Sequence, residues 1–271
     1  MSELAYYPLG WRTFTLAGPD RKSFLHGLVT SDVKGLQPGR ELPSCLLTPK
    51  GKVQAHFWTY EEKERLLLLC PAETAEALWS ALNKMVMLSE SKLEDLSARW
   101  KVFFRSGAAS ERGLPFSVLD GALILLEPET APGARTMSAE EFERRRIERG
   151  LPRFGVDMDA DTIPLEARLD SAISFNKGCY MGQETISRIH HLGHVNKLLV
   201  GLRFDGPPPK APAPVLKDGK EVGRLTSVTP LGEGGLGLAT VRREDSASCV
   251  LVEAGGRKAV VLDLWTAPQG A

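Results

Sequence analysis

Asn176-Lys177-Gly178-Cys179-Tyr180-Met181-Gly182-Gln183-Glu184 is the stretch on which the reading of this chain turns. It brings a thiol, a cation, two glycines, an aromatic ring and an amide–acid pair into nine residues. Gly178 and Gly182 permit backbone conformations that a β-carbon forbids, which predicts a tight loop around Cys179. The run 183–189 that follows has the pattern of a short helix with an acid near its start. Cys179 is therefore expected just upstream of a helix N-terminus and two residues from Lys177, and both features favour a thiolate. The residues alone leave a second reading open, because cysteine is also among the most buried residue types and packs as a small hydrophobe.

Lys177-Gly178-Cys179-Tyr180-Met181-Gly182-Gln183-Glu184 resembles the K-G-C-[FY]-x-G-Q-E signature of the YgfZ-type folate-binding family. That family is related to the aminomethyltransferase (T-protein) of the glycine cleavage system and is linked to iron–sulfur cluster maintenance. The likeness continues through Arg146-Ile147-Glu148-Arg149-Gly150-Leu151-Pro152 and Ile163-Pro164-Leu165-Glu166-Ala167 to Gly193-His194-Val195-Asn196-Lys197. It is tight over residues 146–204.

The resemblance implies an α+β folate-binding domain over residues 1–196 and a C-terminal β-barrel over 197–271. It implies tetrahydrofolate as cofactor and a working thiol at Cys179, with Lys177 holding the thiolate. Glu148 matches the glutamate of the family's R-[IL]-E-x-G motif, which in the relatives reaches the pterin ring. A carboxylate suits that task, since it accepts two N–H bonds side by side. Tyr180, Asp32 and Gln183 are the further candidates for folate contact. Each has a plainer alternative: an ion pair on a solvated helix for Glu148, a turn aspartate for Asp32, and core packing for Tyr180.

Composition narrows the classes. The 271 residues are 42% hydrophobic and 25% charged, the values of a globular protein with a sizeable core. Net charge is zero, so no field concentrates a polyanion, and no direct nucleic-acid partner is expected. Cys45, Cys70, Cys179 and Cys249 lie far apart with no C-x-x-C pair. That is neither a disulfide framework nor a zinc ribbon, and fits a reducing compartment. The first residues lack the basic and apolar regions of a signal peptide. Apolar runs such as 66–70 fall far short of the ~20 residues of a membrane span. The expectation is a cytoplasmic monomer without membrane contact.

Along the chain, 12–18 alternates as a strand, and Pro19-Asp20 opens a helix with Phe24, Leu25, Leu28 and Val29 at helical spacing. Residues 46–57 predict a hairpin turning at Lys50-Gly51, and 56–60 with 66–70 a second one. A helix over about 72–87 would bury Ala75, Leu78, Trp79, Leu82, Met85 and Val86. Strands are expected at 99–105 and 122–126. Ser138-Ala139-Glu140-Glu141 predicts a capping box, opening a helix whose arginines and glutamates read as a solvated, paired face. Thr162 suits an N-cap and Pro164 an early helical position. After the alternating strand 198–204, proline-rich 205–214 predicts a stiff connector. A turn at Asp218-Gly219 and strands at 222–228, 237–241, 249–253 and 259–265 then predict a small barrel.

Two features bear on chemistry. In the aminomethyltransferases the strand matching 53–57 ends in two aspartates, one of them needed for methylene transfer; Ala55 and His56 stand there. That departure argues against aminomethyl transfer, the rival reading of a folate-dependent transferase acting on a small amine. His190, His191 and His194 raise the question of a metal, but Gly193 breaks their row and no second cysteine is near. No resident zinc or cluster is expected. The partners implied are folate and iron–sulfur client enzymes or cluster assembly proteins.

Overall fold

Period-two apolar patterns and short continuous apolar runs dominate the first third of the chain, and these become strands. The computed structural model describes residues 4–107, 113–130, 132–133 and 135–263. In it β1 (Ala5–Pro8) and β2 (Arg12–Ala17) precede α1 (Arg21–Leu28). Next come β3 (Glu41–Leu47), β4 (Val53–Glu62) and β5 (Arg65–Cys70), two hairpins that share β4. After α2 (Ala72–Val86) lie β6 (Lys92–Asp95), β7 (Lys101–Ser106), β8 (Leu114–Phe116), β9 (Gly121–Leu126) and β10 (Arg135–Thr136). α3 (Ala139–Glu148) and α4 (Gln183–Leu192) lead to β11 (Lys197–Phe204), β12 (Ala213–Lys217), β13 (Lys220–Leu231), β14 (Gly234–Arg242), β15 (Leu251–Ala254) and β16 (Arg257–Leu262).

The chain divides into two compact units, Met1–Met137 with Asp170–Arg188, and Ser138–Leu169 with Ile189–Ala271. The first holds two five-stranded sheets, ordered β3-β4-β5-β2-β6 and β10-β1-β7-β9-β8. Phe14, Leu16, Leu66 and Leu68 meet Leu25 and Val29 of the α1 region and Leu78 and Leu82 of α2 in one buried cluster. Each such side chain contributes about 1.5–3 kcal/mol by leaving water. The two sheets are linked by aromatic contacts: Trp58 stacks on Trp11 at 4.9 Å and meets Phe116 at 5.0 Å. The Tyr60 hydroxyl donates to the Pro115 carbonyl at 2.8 Å.

Two expectations need correcting. The apolar stripe of α2 buries Ala75, Leu78 and Leu82 with Trp79 against Phe14, but Met85 is 43% exposed. Val86, one position on, still packs against the same cluster, so of the expected set Met85 is the residue that turns to solvent. Cys45 and Cys70 are buried, whereas Cys249 of the second unit, inside the strand expected at 249–253, is exposed at φ +68° in a turn ahead of β15.

In the second unit α3 starts at the predicted capping box. The Ser138 hydroxyl accepts from the Glu141 N–H at 3.1 Å, and the Glu141 carboxylate accepts from the Ser138 N–H at 2.8 Å. No helix follows Thr162, however. Thr162 Oγ1 donates to Asp159, Glu166 accepts the Ile163 N–H at 3.0 Å, and Pro164 O accepts from Ala167 and Leu169, so local bonds close turns instead.

Six strands form a closed barrel, β11-β14-β13-β12-β15-β16, sealed by β11 against β16. Asp218 and Gly219, both at positive φ, make the two-residue turn between β12 and β13. Val200, Leu202, Val215, Leu225, Val241 and Val261 fill the interior, and Ile147 of α3 packs on Leu199 and Leu238 outside. β16 ends at Leu262; Leu264 and Trp265 of the strand expected at 259–265 lie outside the described residues. Among the described residues no helix is long and apolar enough to cross a membrane.

Candidate functional site

The signature loop is shaped by one of its glycines. Gly182 has φ +82°, and a Cβ there would lie 2.5 Å from the Thr48 carbonyl oxygen and 3.0 Å from Gly51 Cα. Gly51 is also at positive φ, and its Cβ would come within 2.8 Å of Thr185 Cβ. The β3–β4 turn and the start of α4 thus approach more closely than any side chain permits. Gly178 differs from expectation: it lacks a positive φ, and a Cβ there would meet nothing within 4 Å.

Lys177 bonds the backbone. Its ammonium donates to the backbone carbonyls of His26, Val29 (2.6 Å) and Ser31 (3.0 Å), at the C-terminal end of α1. It also lies 5.1 Å from the centre of the Tyr180 ring. Burial lowers the Lys177 pKa to about 8, with Asp32 opposing. The three carbonyls likewise favour the charged form.

Cys179 is exposed, beside the buried Tyr180. Burial pushes the Cys45 and Cys70 thiols up to about 12, so these two stay protonated and inert. Tyr180 is also pushed up to about 12, chiefly by burial, and its ring face is occupied by Lys177. Asp32 accepts from the Gly35 N–H at 3.2 Å, the geometry of a turn aspartate, and lies 3.2 Å from Nδ1 of His26, whose charging burial disfavours. Gln183 is the half-buried first residue of α4. Lys177, Cys179, Tyr180, Gln183 and Asp32 all belong to the first unit, and Glu148 to the second.

Glu148 keeps about a third of its side chain exposed and has a 3.5 Å ion pair with Arg144. That is too long for a strong N–H···O bond, so this pair leaves the carboxylate able to take a stronger donor. The residue that sequence reasoning missed is Arg146, only 3% exposed. Its guanidinium meets Glu143 (2.9 and 2.6 Å), Asp157 (2.6 Å), the Leu151 carbonyl (2.6 Å) and Ser227 Oγ (2.7 Å). Burial opposes its charge, but Glu143 and Asp157 outweigh that and raise its pKa. The available signal was its place on the buried side of α3 beside Ile147. This network holds the end of α3 that carries Glu148.

Ala55 is fully buried in β4, opposite Leu46, and His56 is buried opposite Cys45 with its ring 4.4 Å from that of Trp58. Burial lowers the His56 pKa to about 4, so the ring is neutral at physiological pH. His190 and His191 end α4, and among the described residues no group of three or more His, Cys, Asp or Glu could hold a metal ion.

Comparison with known proteins bears on this geometry. Residues 197–266 match the family model of the CAF17 C-terminal beta-barrel domain. A chloroplastic protein of Arabidopsis thaliana bearing a transferase name is 28% identical over 84% of this chain. The mitochondrial iron–sulfur cluster assembly factor IBA57 homolog of Mycosarcoma maydis is 31% identical over 72% of it. The chain spans 63% and 56% of the length of these two relatives. The tRNA-modifying protein YgfZ of Vibrio atlanticus is 26% identical over 68% of this chain and 64% of its own. Glycine cleavage system aminomethyltransferase T from Bartonella henselae superposes with a TM-score of 0.85 at 19% identity, covering 97% of this chain and 85% of that one. The fold is therefore aminomethyltransferase-like.

Proposed function

Because the homologues of this chain are IBA57- and YgfZ-type proteins, we propose that it is a tetrahydrofolate-binding accessory protein supporting assembly or repair of iron–sulfur enzymes. The observation that carries this reading is an exposed Cys179 on a pinned loop, in a chain whose relatives include cluster assembly factors. Tetrahydrofolate, when bound, supplies a reduced pterin able to carry one-carbon units. Glu148 holds it through paired N–H bonds, and Arg146 keeps the end of α3 in place beneath that carboxylate. Cys179 offers the nucleophilic or soft-ligand sulfur toward a cluster, a persulfide or a mixed disulfide. The partners are cluster assembly proteins or iron–sulfur clients, and four free thiols suit a reducing compartment such as the cytoplasm.

Transfer from a small amine is disfavoured. The strand positions that carry aspartates in the aminomethyltransferases hold a buried alanine and a buried neutral histidine. The alanine offers no acceptor, and a histidine whose pKa burial lowers to about 4 neither carries the negative charge of a carboxylate nor takes an ammonium's proton at neutral pH.

The test is Cys179→Ser in cells that depend on this protein, read as the activity of an iron–sulfur enzyme. The variant should fold and bind reduced folate normally yet fail to sustain that activity. Full complementation would remove Cys179 from the function. Thiol trapping with mass spectrometry during cluster repair would identify what the sulfur carries.

A further inference from the structure

We propose that Lys177 is a positioning residue: its ammonium clamps the Cys179 loop onto the C-terminal end of α1, and the lysine does not serve as partner to the thiolate. The inference builds on the reading of Cys179 as the working thiol.

A lysine ammonium has three protons and no acceptor capacity. Here three backbone carbonyls, of His26, Val29 and Ser31, receive them. His26 is among the last four residues of α1, whose C=O groups have no intrahelical partner, and Val29 and Ser31 follow directly at the negative end of the helix dipole. The Ser31 carbonyl also accepts the Val33 N–H at 3.1 Å, and the local chain explains why the His26 carbonyl is open. The Thr30 N–H, which would continue the helix toward His26 O, instead donates to Cys45 O at 3.0 Å. Thr30 Oγ1 in turn accepts from the Cys45 N–H at 2.8 Å and donates to Ala172 O at 2.5 Å. The exit of α1 is thus bonded to β3 and to the segment leading into the signature loop, and Lys177 closes the remaining carbonyls.

The same ammonium sits over the buried Tyr180 ring at 5.1 Å, which fixes the loop at its middle. At the far end Gly182 is locked against Thr48 and Gly51. Gly178 to Met181 are therefore held at both ends and at Tyr180, while Cys179 remains exposed. A compact ammonium suits three converging carbonyls, whereas the flat fork of arginine matches carboxylates. A role that needed only positive charge near sulfur would accept arginine; a clamp would not.

The experiment uses the full chain carrying Cys249→Ser, so that Cys179 is the one exposed cysteine among the described residues. Lys177→Met and Lys177→Arg are compared by hydrogen exchange across residues 176–182, by the pH midpoint of Cys179 alkylation, and by complementation. Both variants should speed exchange by about tenfold or more, leave the alkylation midpoint where it was, and lose complementation. A midpoint raised by about 1–3 pH units with exchange unchanged, or rescue by arginine, would overturn the clamp. Should neither variant fold, nitrogen-15 lysine spectra of the wild-type protein decide: slowly exchanging Lys177 ammonium protons support the clamp, and fast exchange refutes it. A silent Cys179→Ser together with a loosened Lys177→Met loop would sink the functional reading while leaving the clamp in place.

Discussion

Replacing Arg146 by methionine keeps the apolar stem but removes every donor from a site that water barely reaches. Asp157, whose side chain is fully buried, then loses its cation. Breaking a buried pair from one side costs about 3–5 kcal/mol, because the remaining charge has neither water nor partner. The structure argues for the lower end. Asp157 keeps the Ser227 and Thr226 hydroxyls, both at 2.6 Å, and the Arg153 N–H at 3.0 Å. We therefore expect about 3 kcal/mol, read by hydrogen exchange of the α3 amides, which reports on the second unit alone. The control is Arg144→Met two residues earlier, an exposed residue with a 3.5 Å pair, worth at most about 0.5 kcal/mol. Adding Asp157→Leu to Arg146→Met should recover part of the loss, since an apolar pair of similar volume replaces the stranded carboxylate. If Arg146→Met costs no more than Arg144→Met, or if the double variant loses the sum of both singles, the network does not hold α3 as described.

Glu148→Gln should weaken reduced-folate binding by about 1–3 kcal/mol, because the amide turns one acceptor into a donor; unchanged affinity by calorimetry would remove Glu148 from the pterin. Gly182→Ala should destabilise the first unit by about 2 kcal/mol or more, from its positive φ and the 2.5 Å approach to Thr48 O. Gly178→Ala should stay within about 0.5 kcal/mol; thermal unfolding showing equal effects would contradict the loop geometry. His56 makes acid destabilising: its folded pKa, about 4, lies below the ordinary 6.5, so the unfolded chain takes the proton first. Its contribution is complete above pH 6.5 and fades as pH falls toward 4, by about 3 kcal/mol. His56→Phe should flatten the urea-midpoint profile in that window, and an unchanged profile would exclude this histidine.

Much of the fold was legible because its signals are local. The Ser138 capping box, the Asp218-Gly219 turn and the alternating strands of the barrel each depend on residues within a few positions of one another. The α1 and α2 stripes were legible for the same reason, although only packing decided that Met85 faces solvent while Val86 meets the core. The helix expected after Thr162 failed because side-chain bonds of Asp159 and Glu166 compete locally with helix formation, and the spacing of Thr162 and Pro164 serves either outcome.

The candidate site divides along the same line. Amino-acid order by itself determined that Cys179 sits in a loop before α4 and that Glu148 lies on the helix opened by the Ser138 capping box, since helix starts follow from nearby capping residues. Only the tertiary structure decided what those residues touch. Lys177 lies two positions from Cys179 in the chain, yet its protons go to carbonyls some 150 positions earlier. Arg146 carries the same charge as Arg144 and Arg145, yet it alone meets Asp157 and Ser227. Of two glycines in one motif, only Gly182 faces another backbone. A charge or a missing β-carbon is written in the sequence, but its effect depends on the acceptor, dielectric and free volume around it, and distant segments supply these only once the chain has folded.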